Sequence, residues 1–179
     1  SDGTIFFTDP TYGMKADEGD AGEQELDWQG VYSVQPDGSG LTLLTKEFTQ
    51  PNGLALSPDE QTLYVDDSEE KLLRAFDLNG AGQLSGGRLI DENIHEEGVH
   101  GGPDGLKLDT EGRIWITGPG GIRVYEADGT LLGTLPVPEN TANLNWGGQD
   151  RRTLYITASS SLYRVRLNVT GAGLWTHTG

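Results

Sequence analysis

The chain has 179 residues, no cysteine, and 28 acidic against 12 basic side chains, for a formal net charge of −16. The length suits one domain with a sizeable core. The missing cysteines exclude a disulfide framework or a thiolate metal site, and the charge opposes binding to nucleic-acid phosphates.

In chain order, Thr4 to Thr8 reads as a short strand rich in aromatic and β-branched residues. An acidic stretch follows, with Asp17, Glu18, Asp20, Glu23, Glu25 and Asp27. It reads as a solvated loop, because its spacing does not match the Ca²⁺-binding helix-loop-helix motif. Val31 to Val34 and Leu41 to Leu44 flank an Asp37-Gly38 turn signal. Leu54 to Leu56 and Thr62 to Val65 flank Ser57-Pro-Asp-Glu60, a turn with Pro at its second position. Lys71 to Asp77 and Gly87 to Ile90 follow. The same order then returns: Leu106 to Leu108, Arg113 to Thr117, Gly121 to Tyr125 and Thr130 to Leu135. The last runs are Asn143 to Trp146, Thr153 to Thr157 and Ser161 to Leu167. No amphipathic helix stands out, and no apolar run approaches the roughly 18 residues of a membrane-spanning helix. The chain therefore reads as soluble, without a membrane or nucleic-acid partner, with cytoplasm and periplasm both open.

The segment from Asn52 to Ser68 recurs from Asp104 to Gly120, at an offset of 52 residues and without a gap over seventeen positions. A looser copy runs from Ala142 to Ala158. Four strands in about 40 to 50 residues is the arithmetic of a β-propeller blade. The expectation is an all-β, partial propeller over 1–167, with a partial blade at 1–48, blades at 49–98 and 99–138, a partial blade at 139–167 and a tail at 168–179. Only about three and a half blades are present, the first lacking its innermost strand and the last its outermost. Open blade edges invite pairing. Two expectations follow: the chain is a C-terminal fragment of a longer propeller, or copies associate through these edges.

Asn52 and Asp104 open innermost strands, which places both at one mouth of the central channel. Side-chain oxygens converging there suit a hard cation. Asx residues before Gly also cap turns, and pattern alone leaves both readings open. Asp9 and Tyr12, on the loop after the first strand, are candidates to contact a ligand at the same mouth. His100, in the connection before Asp104, is a candidate to border it. No spacing supports a Ser–His–Asp triad. Trp115 and Trp146 read as core, His177 falls in the tail, and Asn168-Val-Thr170 fits a glycosylation triplet.

Several of these motifs resemble the gluconolactonase family, which includes regucalcin (senescence marker protein) and the luciferin-regenerating enzyme. They are Gly3-Thr-Ile-Phe-Phe-Thr-Asp-Pro-Thr-Tyr-Gly13, Pro51-Asn-Gly-Leu-Ala-Leu-Ser-Pro-Asp59, Gly102-Pro-Asp-Gly-Leu-Lys-Leu-Asp109 and Thr153-Leu-Tyr-Ile-Thr-Ala158. The resemblance covers about residues 1 to 168, with the bacterial gluconolactonase branch matching best at the start. It implies a six-bladed propeller that hydrolyses a sugar lactone with one divalent cation, Ca²⁺ first, with Zn²⁺, Mg²⁺ or Mn²⁺ as alternatives. It implies Asn52 as a metal ligand and Asp104 as both ligand and general base. From their places on the loops, Asp9 and Tyr12 are expected to contact the sugar hydroxyls, with His100 a further substrate-binding candidate at the mouth. Two further family ligands, a Glu in the first blade and an Asn just before this segment, have no matching position here. The alternatives are a non-catalytic propeller module, or an organophosphate or aryl ester hydrolase of the same fold.

Overall fold

The computed structural model describes residues 2–16 and 22–173. They form four antiparallel sheets, arranged as propeller blades. The first holds β1 (Ile5–Asp9), β2 (Gln29–Val34) and β3 (Thr42–Phe48), with a 3-10 turn at Tyr12–Met14. The second holds β4 (Pro51–Leu56), β5 (Thr62–Asp67), β6 (Leu72–Leu78) and β7 (Leu84–Asp91). The third holds β8 (Leu106–Leu108), β9 (Ile114–Gly118), β10 (Gly121–Tyr125) and β11 (Leu131–Pro136). The fourth holds β12 (Thr141–Gly147), β13 (Thr153–Ala158) and β14 (Leu162–Arg166). Three strands in the first and last sheets match the count of about three and a half blades. Among the described residues no helix is long and apolar enough to cross a membrane.

The middle strands are buried on both faces, and their sequences say why. In β5, Leu63 and Val65 pack with Val31, Phe48 and Phe76 between the first two blades. Tyr64, between them in sequence, packs on the other side with Leu73, Leu106 and Ile116. In β9, Ile114 and Ile116 join that second cluster, while Trp115 joins Leu144, Trp146 and Ile156 between the last two blades. Alternate side chains point to opposite faces of a strand, so one apolar run feeds two cores. Burying each such side chain contributes about 1.5–3 kcal/mol. Trp115 and Trp146 meet edge to face, with centroids 5.2 Å apart at 81°. Both belong to the core, as their sequence positions indicate.

The strand registers correct one feature of the repeat. Leu54 pairs with Val65 in the second blade, Leu106 with Ile116 in the third and Leu144 with Ile156 in the fourth. The turn after β4 closes between Ser57 and Thr62, and that after β8 between Asp109 and Arg113. The third blade is thus one residue shorter at this turn. The ungapped offset of 52 holds for the inner strands and slips by one in the next pair. Asp66 is therefore the counterpart of Thr117 rather than Gly118, and Thr157 takes the same place in the fourth blade. Thr8, in Ile5-Phe-Phe-Thr-Asp9, takes it in the first.

The stretch after β14 turns back across the inner-turn end of the blades. Ala172 N donates to the Leu108 carbonyl at 2.9 Å, Thr110 N to Thr170 O at 2.8 Å, and Gly171 N to Arg151 O at 2.9 Å. Only glycine fits at 171, since a Cβ there would fall 1.9 Å from Trp146 Cγ. The Asn168-Val-Thr170 triplet lies within this tie, and His177 lies outside the described residues.

Candidate functional site

Asn52 is the second residue of β4, and Asp104 lies two residues before β8, in the connection from β7. Adjacent blades bring these equivalent positions together. Asn52 Nδ2 donates to Ser68 Oγ at 2.9 Å, and Ser68 Oγ donates to the Pro103 carbonyl at 2.7 Å. One hydroxyl thus links Asn52 to the residue preceding Asp104. On the other side, Thr8 Oγ1 donates to the Asn52 carbonyl at 2.7 Å. Burial raises the Asp104 carboxyl above its usual range, and the nearby Asn52 side chain opposes that rise.

Glycine permits this approach. A Cβ on Gly53 would lie 2.1 Å from the Asp104 carbonyl oxygen and 2.4 Å from Asp66 Oδ2. Gly105 is in the same position against the next blade, with Asn143 Oδ1 2.5 Å from where its Cβ would be. The inner strands of the second and third blades thus open with a backbone too close to its neighbour for any side chain.

Two buried carboxyls stand behind the pair, and they differ. Asp67 Oδ2 accepts from Thr49 N and Gln50 N at 2.7 and 3.0 Å, and its Oδ1 accepts from Glu69 N and Glu70 N, both at 2.9 Å. It fastens the loop entering β4 to the turn leaving β5. Asp66 accepts only Gly53 N, at 3.2 Å, and its Oδ2 is buried without a hydrogen-bond partner. Desolvation pushes the Asp66 carboxyl well up, with the Asp104 and Asp67 charges adding to the rise and the Gly53 N–H and Lys107 opposing it. Lys107, on β8, is held down by its own burial, against the pull of Asp66.

The remaining candidates from the sequence occupy the surroundings. Asp9 ends β1 and is exposed, one residue after Thr8. The loop after it is tied to the start of β4: Thr11 N donates to Gln50 Oε1 at 3.0 Å, and Gln50 Nε2 donates to Thr11 Oγ1 at 2.7 Å. Tyr12 opens the 3-10 turn, with the Lys15 ammonium 4.4 Å over its ring. His100 is exposed, and its carbonyl accepts Gly120 N at 3.1 Å. The structure brings Asn52 and Asp104 together and ties the Asp9–Tyr12 loop to the start of β4, while His100 is an exposed residue whose main chain holds the turn after β9. Gly53, Asp66 and Ser68 are the parts of the site that sequence reasoning did not single out. Aligning the blades on Leu63-Tyr-Val65, Ile114-Trp-Ile116 and Leu154-Tyr-Ile156 would have marked Asp66 as the odd member of its slot.

The donors offered by Asn52 and Asp104 are oxygens, the chemistry a hard divalent cation takes. Among the described residues no group of three His, Cys, Asp or Glu side chains is gathered for a metal. The pair thus fits such an ion in kind and would supply only part of a coordination shell. A cavity of about 700 Å³ lies toward the opposite, inner-turn end of the blades, lined by Leu54, Leu56, Lys107, Leu108, Asn145 and Arg151 among others. Pro58 and Thr110 of the inner turns also line it, so it is separate from the mouth that holds Asn52 and Asp104.

Comparison with known proteins agrees with this architecture. The profile of the SMP-30/Gluconolactonase/LRE-like region matches residues 1–160. A gluconolactonase from Zymomonas mobilis is 36% identical over 179 residues, covering 94% of this chain and 49% of the relative. Regucalcin from Danio rerio is 35% identical over 137 residues, covering 72% of this chain and 44% of the relative. The solved structure of a gluconolactonase from Xanthomonas campestris superposes with a TM-score of 0.82 at 36% identity, covering 93% of this chain and 54% of that one. The chain spans about half the length of the curated relatives it matches. With the blade architecture and the family profile in agreement, the chain belongs to the SMP-30/gluconolactonase/LRE-like family.

Proposed function

We propose that the chain carries part of the active site of a sugar-lactone hydrolase, with Asn52 and Asp104 at its centre. The observation that carries the reading is the approach of these two equivalent positions, joined through Ser68 to Pro103 and closed up at Gly53, in a chain similar to gluconolactonases. Asn52 and Asp104 would hold a divalent cation, Ca²⁺ first. Such an ion supplies Lewis-acid polarisation of the lactone carbonyl and lowers the pKa of a bound water.

Asp104 takes the proton of the attacking water. The water oxygen bonds to the carbonyl carbon, the ring C–O bond breaks, and the departing ring oxygen takes up a proton to give the hydroxy acid. Burial raises the Asp104 carboxyl and the Asn52 side chain opposes that rise, while a bound cation would lower it and keep the group ionised, which limits its strength as a base. Asn52 is held in place by Ser68 and Thr8, so its orientation does not depend on the ligand. Asp9 and Tyr12, on the loop tied to Gln50, would contact the sugar hydroxyls, with His100 a further candidate.

The test is acid release from D-glucono-1,5-lactone, followed at constant pH with added Ca²⁺ and again with a chelator. Release above the spontaneous rate that is lost on chelation supports the reading. Release no faster than in buffer contradicts it.

A further inference from the structure

We propose that Asp66 is a positioning residue for the Asn52–Asp104 pair, its buried carboxyl holding the Gly53 N–H on one side and standing against the Asp104 main-chain carbonyl on the other. For its catalytic meaning this rests on the lactonase reading; its test does not.

The four blades supply the comparison. In three of them the slot holds threonine, and each threonine donates to a main-chain carbonyl at the entrance of an inner strand. Thr8 Oγ1 reaches Asn52 O at 2.7 Å, Thr117 Oγ1 reaches Gly102 O at 3.0 Å, and Thr157 Oγ1 reaches Asn143 O at 3.3 Å. The second blade alone places a carboxyl there, and it does so where its neighbour carries Asp104. Asp66 is fully buried. A buried carboxyl is costly wherever threonine would serve, as it does in the other blades. The exception therefore needs a reason at this one site.

The geometry gives one. Asp66 Oδ1 accepts Gly53 N, the residue directly after Asn52. Asp66 Oδ2 and the Asp104 carbonyl oxygen both lie within 2.4 Å of the same point above Gly53. One planar group thus bonds the main chain beside Asn52 through one oxygen and faces the Asp104 carbonyl across Gly53 with the other, which has no hydrogen-bond partner. A threonine places one polar atom in the slot, whereas a carboxyl or carboxamide places two, one at the Gly53 N–H and one facing the Asp104 carbonyl, the second bonding that carbonyl only as an O–H or N–H. Asp67, the adjacent buried carboxyl, faces the other way and is filled by four backbone N–H groups, so it does not share the task.

The test is residue-resolved amide hydrogen exchange on the protein and on Asp66→Asn and Asp66→Thr. Asparagine keeps an acceptor for Gly53 and offers an N–H to the Asp104 carbonyl. Threonine is the residue with which the other blades fold. The expected result is near-native protection at Gly53 and Gly105 in Asp66→Asn. In Asp66→Thr, exchange at Gly53, whose N–H loses its acceptor, should be faster by roughly tenfold, the effect of losing one hydrogen bond, and faster by less at Gly105, which keeps its bond to the Ala142 carbonyl, with Tyr64, Leu73 and Ile116 unchanged. Equal acceleration in both variants would mean that the negative charge itself matters, and overturns the proposal. So does native protection in Asp66→Thr, or acceleration spread through the interblade core. If the wild-type protein neither binds Ca²⁺ nor hydrolyses a lactone, the functional reading fails while the exchange pattern still decides the role of Asp66.

Discussion

Gly53 stands directly against Asp104: a Cβ on Gly53 would fall 2.1 Å from the Asp104 carbonyl oxygen. That contact brings the second and third blades together at the mouth of the channel, and it sets how far Asn52 lies from Asp104. The backbone of Gly53 is ordinary, without a positive φ, so the requirement is for space alone.

Gly53→Ala therefore forces the two inner strands apart. Overpacking of this kind costs about 1–3 kcal/mol, or a fall of about 2–4 °C in Tm for each kcal/mol at this chain length. Gly13→Ala is the control, because nothing lies within 4 Å of a Cβ there. Thermal unfolding followed by circular dichroism should show the first substitution lowering Tm and the second leaving it unchanged.

Asp109 anchors the inner turn of the third blade. It is fully buried and accepts Glu111 N at 3.0 Å, Arg113 N at 3.1 Å, Arg113 Nε at 2.7 Å and Trp115 Nε1 at 3.0 Å. Asp109→Ala strands the Arg113 guanidinium and the Trp115 N–H together. Breaking a buried pair from one side costs about 3–5 kcal/mol. Urea unfolding should show a loss of unfolding free energy of that size, far larger than for Glu111→Ala, whose carboxylate meets Arg113 at the surface.

Glu139 provides the pH-sensitive contact. It precedes β12 and accepts Ser161 Oγ and Ser160 N at 2.5 and 2.8 Å, and Tyr163 OH at 2.8 Å. The Ser161 hydroxyl, then the Ser160 N–H and the Tyr163 hydroxyl, lower its carboxyl from 4.5 to about 2. A carboxyl lowered on folding stabilises the native state above its unfolded pKa, and that contribution fades as pH falls towards the folded value. The Tm gap between wild type and Glu139→Gln should therefore be full above pH 4.5 and close as pH falls to about 2. A gap that stays constant over this range would contradict the assignment.

Much of this molecule is legible in its sequence, for reasons that can be named. Leu63-Tyr-Val65 and Ile114-Trp-Ile116 are apolar on both faces because blades are packed on both sides, and that is visible as runs rather than alternation. Asn52 and Asp104 stand out because repeats place them at matching strand starts. Asp66 was hidden by a single residue: the shorter turn at Asp109–Arg113 set it opposite Gly118 in an ungapped comparison and concealed its kinship with Thr8, Thr117 and Thr157. Gly53 was hidden for another reason. A glycine chosen for closeness to a neighbouring blade looks in sequence like any turn glycine, and only the distance to Asp104 separates the two. The tie from Thr170 to Ala172 was hidden because main-chain hydrogen bonds leave little mark on side-chain identity.

Hydrolysis of D-glucono-1,5-lactone by the wild-type protein and by Asp104→Asn, each across a Ca²⁺ titration, measures the central claim most directly. Removing a general base typically costs about 10²–10⁴ in rate. The account predicts Ca²⁺-dependent hydrolysis in the wild type, with kcat reduced by about that factor in Asp104→Asn and no change in fold by circular dichroism. Equal hydrolysis by the two proteins at saturating Ca²⁺ would contradict it.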